Sequence, residues 1–296
     1  MILYCSVEAV TSAEGRGPFS KHTTGTAISL RYLEWEGDGS PVILLHGLTV
    51  CAEYWSLTAQ ILAQTHRVVS VDLRGHGHSD KPDWGYDYQT VAGDIEQLCK
   101  EIGIEAALLA GHSWGAGVAL CLAASNPSIA SRLALVDGGF GGPRRTPDGT
   151  PPDYEQMMAP LDIYQSRQTY LQAAGAGIMD VMSPEIEEIL MASVTVNPDG
   201  TISERLSREN NVRILQAMGA LNAVELYPAL QMPVLFAAAL SSSPDRLKWN
   251  DRKRESVRRA RELVSDGREQ WFPDTAHDIQ IHRPKELTQV LEDLLH

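Results

Sequence analysis

From residue 28 to residue 137 the chain alternates between two patterns. ISLRYLEW (28–35) exchanges apolar and polar positions one by one, as a half-buried strand does. Pro41 then introduces VILLH (42–46), and the same kind of unbroken apolar run returns as RVVSVD (67–72), ALLAG (107–111) and RLALVD (132–137). Runs of this length and composition fit strands covered on both faces. Between them, residues 53–64 carry a helical pattern. TVAGDIEQLCKEI (90–102) places Val91, Ile95, Leu98 and Ile102 on one helical face. A run of small residues from Trp114 to Ser125 predicts a third helix. Strands and helices that take turns in this way predict a mostly parallel sheet with helices on both faces, the α/β class.

The rhythm breaks at Gly138. GGFGGPRRTPDGTPPD (138–153) is rich in glycine and proline, and 153–226 show helical patterns without a buried-strand pattern. Met232-Pro233-VLFAAAL restores the strand type. A charged helix over 249–264, a strand at EQWF (269–272), a loop and a terminal helix from Pro284 complete the chain. The expected organisation is one α/β core built from 1–142 and 228–296, interrupted by a helical cap at 143–227. Residues 11–27 are polar and Gly-rich and are expected to form a loop or hairpin turn. No internal repeat is visible.

With 296 residues and 43% apolar content the chain can bury a core of this size. The net charge of −13 argues against nucleic acid as a partner and gives no attraction to an anionic membrane surface. No apolar run approaches the length of a membrane span. The opening MILYCSVEAV lacks the basic and long apolar parts of a secretory signal. Cys5, Cys51, Cys99 and Cys121 form no C-x-x-C pair, and the last three sit in apolar or helical contexts as small core residues. A reducing, cytoplasmic compartment is expected, and a monomer or homodimer.

The chemistry begins at Gly111-His112-Ser113-Trp114-Gly115. A G-x-S-x-G pentapeptide arises by chance in roughly one chain in ten of this length, so its surroundings matter. Here an apolar strand leads in and a small-residue helix leads out. A serine at such a turn is pushed clear of the sheet, and glycines two residues either side let strand and helix close on each other. A nucleophilic serine needs a base, an orienting acid and two N–H donors for the developing oxyanion. Of the nine histidines, His277 in DTAHDIQIHRP lies in the loop after the last strand, at the same sheet edge as Ser113. It is the base candidate. The backbone N–H groups of Trp114 and of Leu48, in His46-Gly47-Leu48-Thr49, are the oxyanion candidates.

HG-L at 46–48, DLRGHGHSD at 72–80, GHSWG at 111–115 and the HDIQIHRP histidine stand in the order and spacing of the α/β-hydrolase superfamily. They resemble most its esterase-like branch with a helical cap. The resemblance implies a Ser–His–acid triad, neither cofactor nor metal, and hydrolysis of an ester, lactone, thioester or amide. Two places for the acid follow from it. Family members usually carry Asp about nine residues past the strand proline. Position 242 is serine here, and Asp245 in SSSPDRLKW is the nearest candidate. The other family position is the end of the strand after the nucleophile helix, which is Asp137 in LALVDGGF, the first choice. Dehalogenases and epoxide hydrolases of this fold have a nucleophilic Asp where this chain has Ser113, which argues against both activities. A small, largely apolar ester or lactone is the expected substrate. Carbon–carbon bond hydrolysis or perhydrolysis on the same triad is the alternative within enzymes. A ligand receptor or docking scaffold is the alternative outside them. The remaining motif residues, Asp72 and Arg74, are expected to hold their loop. RLKWNDRKRESVRRARE (246–262), with eight basic and three acidic residues, is expected to be a solvated helix face.

Overall fold

The computed structural model describes residues 8–9, 17–25, 27–157, 164–243 and 246–296. The amino-terminal half runs β1 (Glu8–Ala9), β2 (Phe19–His22), β3 (Arg31–Trp35), β4 (Gly39–Leu45), α1 (Ser56–Leu62), β5 (His66–Val71), α2 (Tyr88–Glu101), β6 (Ala107–His112), α3 (Trp114–Ser125) and β7 (Ala130–Val136). An insertion follows, with α4 (Tyr154–Met157), α5 (Arg167–Ala174), α6 (Pro184–Ala192), β8 (Val194–Val196), β9 (Ile202–Glu204), α7 (Arg208–Ala220) and α8 (Ala223–Leu226). The chain returns to the core with β10 (Val234–Leu240), α9 (Leu247–Glu262), β11 (Gly267–Pro273), α10 (Ile279–His282) and α11 (Pro284–Leu295).

Among the described residues the main sheet has the order β1-β2-β3-β5-β4-β6-β7-β10-β11. From β5 to β11 all neighbours are parallel, while β1, β2 and β3 pair antiparallel at one edge. This is the α/β-hydrolase fold. Alternate residues of each central strand face opposite sides. Ile43, Leu45, Val69 and Leu109 pack with Val91, Ile95 and Leu98 of α2 and with α3. Val42, Leu44, Val68 and Leu108 pack with Leu62 of α1 and with Leu287, Leu291 and Leu294 of α11. The connection leaving β4 passes to one side of the sheet and the chain entering β6 comes to the other. The crevice between the carboxyl ends of these two strands is where an open α/β sheet takes its ligands.

Three local expectations are corrected. Residues 28–35 do not form a strand with one wet face, because every position of β3 is buried. Its polar residues are covered as ion pairs: Arg31 with Glu53 and Asp72, and Glu34 with Lys21 and Arg67. Residues 19–22, expected within a loop, form β2, a short and partly polar strand held by its pairing with β3. The insertion is not purely helical, since β8 and β9 form a hairpin across residues 197–201. Three-residue strands are too short to show a period, and this pair is carried by its turn. There the Asn197 N–H donates to Thr201 O at 2.8 Å and Gly200 takes φ +85.

The loop after β5 is built on buried charge. Asp72 accepts from the N–H groups of Ala52 and His78, both at 2.8 Å. Arg74 grips Asp94 of α2 with two bonds of 2.7 and 2.8 Å and lies over the Trp84 ring. Arg74→Met leaves the largely buried Asp94 carboxylate uncompensated, and is expected to lower stability by about 3–5 kcal/mol. Urea unfolding measures this, with Arg74→Met/Asp94→Leu expected to recover most of the loss. Among the described residues no helix is long and apolar enough to cross a membrane.

Candidate active site

β6 delivers Ser113 at the centre of the sheet. Ser113 holds φ +53 and ψ −112, an uncommon conformation for a residue with a side chain, and it stands immediately before α3. Its neighbours over-determine that turn. A Cβ on Gly111 would collide with the Gly115 carbonyl, and one on Gly115 with the carbonyls of Leu45 and His46. The Ser113 N–H donates to Val136 O at 2.9 Å, which ties the turn to β7. Among the described residues the Ser113 hydroxyl has no hydrogen-bond partner, and the residue is partly exposed.

Asp137 follows β7 directly, also with positive φ (+45). Gly138, next to it, lies so close to the Ser113 backbone that a Cβ there would overlap it. The Asp137 carboxylate is buried and fully engaged. Oδ1 accepts from the Ala239 N–H at 3.0 Å and from Lys253 Nζ at 2.6 Å, and Oδ2 lies 2.6 Å from His277 Nδ1. An ionised carboxylate only accepts, so His277 carries its proton on Nδ1 and keeps the Nε2 lone pair free. Asp245 lies outside the described residues.

The loop carrying His277 is anchored to the serine turn by His112. The Nε2–H of His112 donates to the His277 carbonyl at 3.0 Å, and the two rings stand 4.6 Å apart. Burial and the neighbouring His277 push His112 down to about 3, so it stays neutral. His46 and His76 work similarly on the other flank. Nδ1–H of His46 donates to Gly47 O at 2.7 Å while its Nε2 accepts from the Leu73 N–H at 3.0 Å. His76 Nε2 accepts from the Thr49 N–H at 3.3 Å, and its ring lies 5.2 Å from Trp114. Burial lowers both, His46 to about 4. These three histidines brace the loops around Ser113, a role with no local signature in the sequence. Lys253 has none either.

The loop 46–49 places Gly47 against Ser113, since a Cβ on Gly47 would lie 3.3 Å from that of the serine. The Leu48 carbonyl accepts from the Thr49 hydroxyl at 2.7 Å, and the Leu48 N–H has no acceptor among the described residues. Trp114 is the first residue of α3, where a helix leaves its N–H without an internal partner. Two donors thus flank the crevice between β4 and β6, one from each strand end.

The charges are matched to one another. Burial alone would raise Asp137, but the bonds and charges of His277 and Lys253 outweigh it and hold the carboxyl below its ordinary range. Burial disfavours the charged form of His277. The hydrogen bond and charge of Asp137, aided by Asp278, outweigh that and raise it, while Lys253 opposes them. Elsewhere, Cys51, Glu53 and Asp72 bring ligand-type atoms within 4.8 Å of one another. Arg31 already pairs with both carboxylates, at 2.8 and 3.3 Å, and supplies the cation there.

Residues 40–176 match the sequence profile of the family described as alpha/beta hydrolase fold. Over 101 residues the chain is 37% identical to the soluble epoxide hydrolase of Corynebacterium sp. (strain C12), an alignment covering 34% of this chain and 35% of that one. The chain spans 30% to 42% of the length of the curated relatives it matches. Among solved structures, E-2-(acetamidomethylene)succinate hydrolase superposes with a TM-score of 0.74 at 20% identity, covering 94% of this chain and 99% of that one. The enol-lactonase from Burkholderia xenovorans LB400 superposes with a TM-score of 0.69 at 20% identity, covering 93% and 99%.

Proposed function

We propose that this chain, which has the α/β-hydrolase fold, is a serine hydrolase that cleaves a small, largely apolar carboxylic ester or lactone through an acyl-enzyme. The observation that carries the reading is the 2.6 Å pairing of His277 Nδ1 with Asp137, held against the turn that presents a Ser113 hydroxyl without a partner among the described residues. In this mechanism His277 Nε2 takes the hydroxyl proton as Ser113 Oγ attacks the acyl carbonyl. The carbonyl oxygen becomes an oxyanion and is met by the N–H groups of Leu48 and Trp114. Asp137 holds the imidazole in the required tautomer and stabilises the imidazolium. The imidazolium returns the proton to the leaving alkoxide as the C–O bond breaks. A water, deprotonated by the same Nε2, then adds to the acyl-enzyme, and the imidazolium returns that proton to Ser113 Oγ as the acyl–Oγ bond breaks and the acid leaves.

The insertion serves as a cap in this reading. Tyr170, Ile178, Ile186 and Leu190 form one apolar cluster with Tyr54 and Ile281 of the core, so the insertion sits on the loops that carry Leu48 and His277. An apolar roof of this kind favours an apolar acyl group. The enol-lactonase among the structural neighbours supports a lactone within range. Epoxide opening, suggested by the Corynebacterium relative, is disfavoured because a serine hydroxyl stands where a carboxylate nucleophile is needed.

The test is steady-state hydrolysis of p-nitrophenyl esters of graded chain length and of simple lactones, followed across pH. Multiple turnover with a preference for short to medium chains is expected. His277 acts only when neutral, so kcat/KM should climb with pH along one acid limb. Asp137 favours the protonated ring, which places the midpoint of that limb above the ordinary imidazole value of 6.5. A single turnover without release would point to a ligand receptor. No reaction with any ester or lactone would refute the hydrolase reading.

A further inference from the structure

α9 carries much of the positive charge of an acidic chain, and most of it does face water. Arg252, Arg254, Arg258, Arg259 and Arg261 are exposed. Lys253 is the exception, with 11% of its side chain accessible. It shares the inward face of the helix with Asn250, Val257 and Ala260, at the spacing of one helical stripe. Asn250 fixes the start of that stripe to the end of β10, donating to Ser241 O at 2.8 Å and accepting from the Ser241 N–H at 3.3 Å. One turn on, Lys253 Nζ reaches Asp137 Oδ1 at 2.6 Å and Ala239 O at 2.7 Å. The carboxylate therefore bridges an ammonium on one oxygen and an imidazole on the other.

We propose that Lys253 is a positioning residue of the reaction, holding the Asp137 carboxylate against His277 and setting the proton affinity of the base by sharing the carboxylate's charge. Its effect on turnover rests on the serine-hydrolase reading, but its effect on His277 does not. Among the described residues the charged and titratable groups facing the His277 ring are Asp137 from the end of β7, Lys253 from α9, His112 from β6 and Asp278 from its own loop. His112 is held neutral. With His277 neutral, Lys253 balances the buried Asp137 charge. With His277 protonated, one carboxylate faces two cations, which repel each other. Lys253 thus favours the proton-free base and keeps it available at a lower pH than Asp137 and Asp278 alone would allow. The second carboxylate oxygen is also pinned, which fixes the plane from which Oδ2 meets Nδ1.

The test compares wild type with Lys253→Met, Lys253→Gln and Lys253→Arg. The His277 imidazole is titrated by NMR and the acid limb of kcat/KM is measured on the same samples. In Lys253→Met the midpoint of His277 should rise by about one pH unit, kcat/KM at pH 7 should fall, and KM should stay near the wild-type value. Lys253→Gln keeps a hydrogen bond without the charge, and so should show the same rise if the methionine variant fails to fold. Lys253→Arg should return the midpoint toward wild type. A merely structural lysine would lower activity at every pH and leave the midpoint unmoved, and that result overturns the proposal. If the NMR midpoint moves but no ester is hydrolysed by any variant, the serine-hydrolase reading fails and the role of Lys253 at His277 stands.

Discussion

Ser113→Ala is expected to lower kcat/KM for any ester or lactone that the wild type turns over by about 10⁴-fold or more. The loss follows from removing the attacking oxygen while leaving everything else in place. In the proposed mechanism Leu48 and Trp114 still offer their N–H groups, so a small residual rate over water is expected. Folding should be nearly unaffected. The hydroxyl has no partner among the described residues, and the turn is held by the Ser113 N–H bond to Val136 and by the glycines packed around it. Alanine meets the same positive φ as serine. The check is therefore double: lost turnover with an unchanged unfolding midpoint. Retained activity in a folded Ser113→Ala protein would place the nucleophile elsewhere.

Asp137→Asn carries the second largest effect and differs in kind. An amide donor facing Nδ1 favours the wrong tautomer and withdraws the charge that stabilises the imidazolium, so kcat should fall by about 10⁴-fold. Stability should fall as well. Lys253 is left with a buried ammonium facing an amide and the Ala239 carbonyl, a loss of about 3–5 kcal/mol for breaking such a pair. Asp137→Asn/Lys253→Met should regain much of the stability and none of the activity. Calorimetry and pre-steady-state kinetics on the single and double variants separate the two losses. If Asp245→Asn loses activity and Asp137→Asn keeps it, the acid has been assigned to the wrong strand end.

The split between Asp137 and Asp245 shows where reading along the chain stops. Both follow an apolar strand: Asp137 stands at a position that the superfamily uses for its acid, and Asp245 lies three residues past the other such position. The case for Asp137 is its 2.6 Å approach to a histidine 140 residues away, and no local pattern carries that. Position 242, where the commoner acid would stand, is a serine, and the helix after it contributes Lys253 to the acid of the neighbouring strand. In the sequence that lysine is one of eight basic residues in a run that looks solvated throughout. Its stripe becomes visible only when the inward face of α9 is known. The same limit applies to β3, whose polar residues suggested a wet face. Arg31 and Glu34 are buried because partners from distant segments neutralise them, and burial of a charge depends on such partners rather than on its own segment.

Sequence by itself determined the features that depend on near neighbours. Apolar runs require strands covered on both sides, small residues after Ser113 require a helix packed tightly on the sheet, and Gly111 and Gly115 permit the sharp turn between them. The parallel sheet and the serine at the apex of its turn follow from those short-range demands. Only the tertiary structure decided which acid meets His277, which lysine shares that acid, and which histidines are neutral braces. Those outcomes are set by electrostatics and hydrogen bonding over a few ångströms in space, between groups that the chain itself keeps far apart.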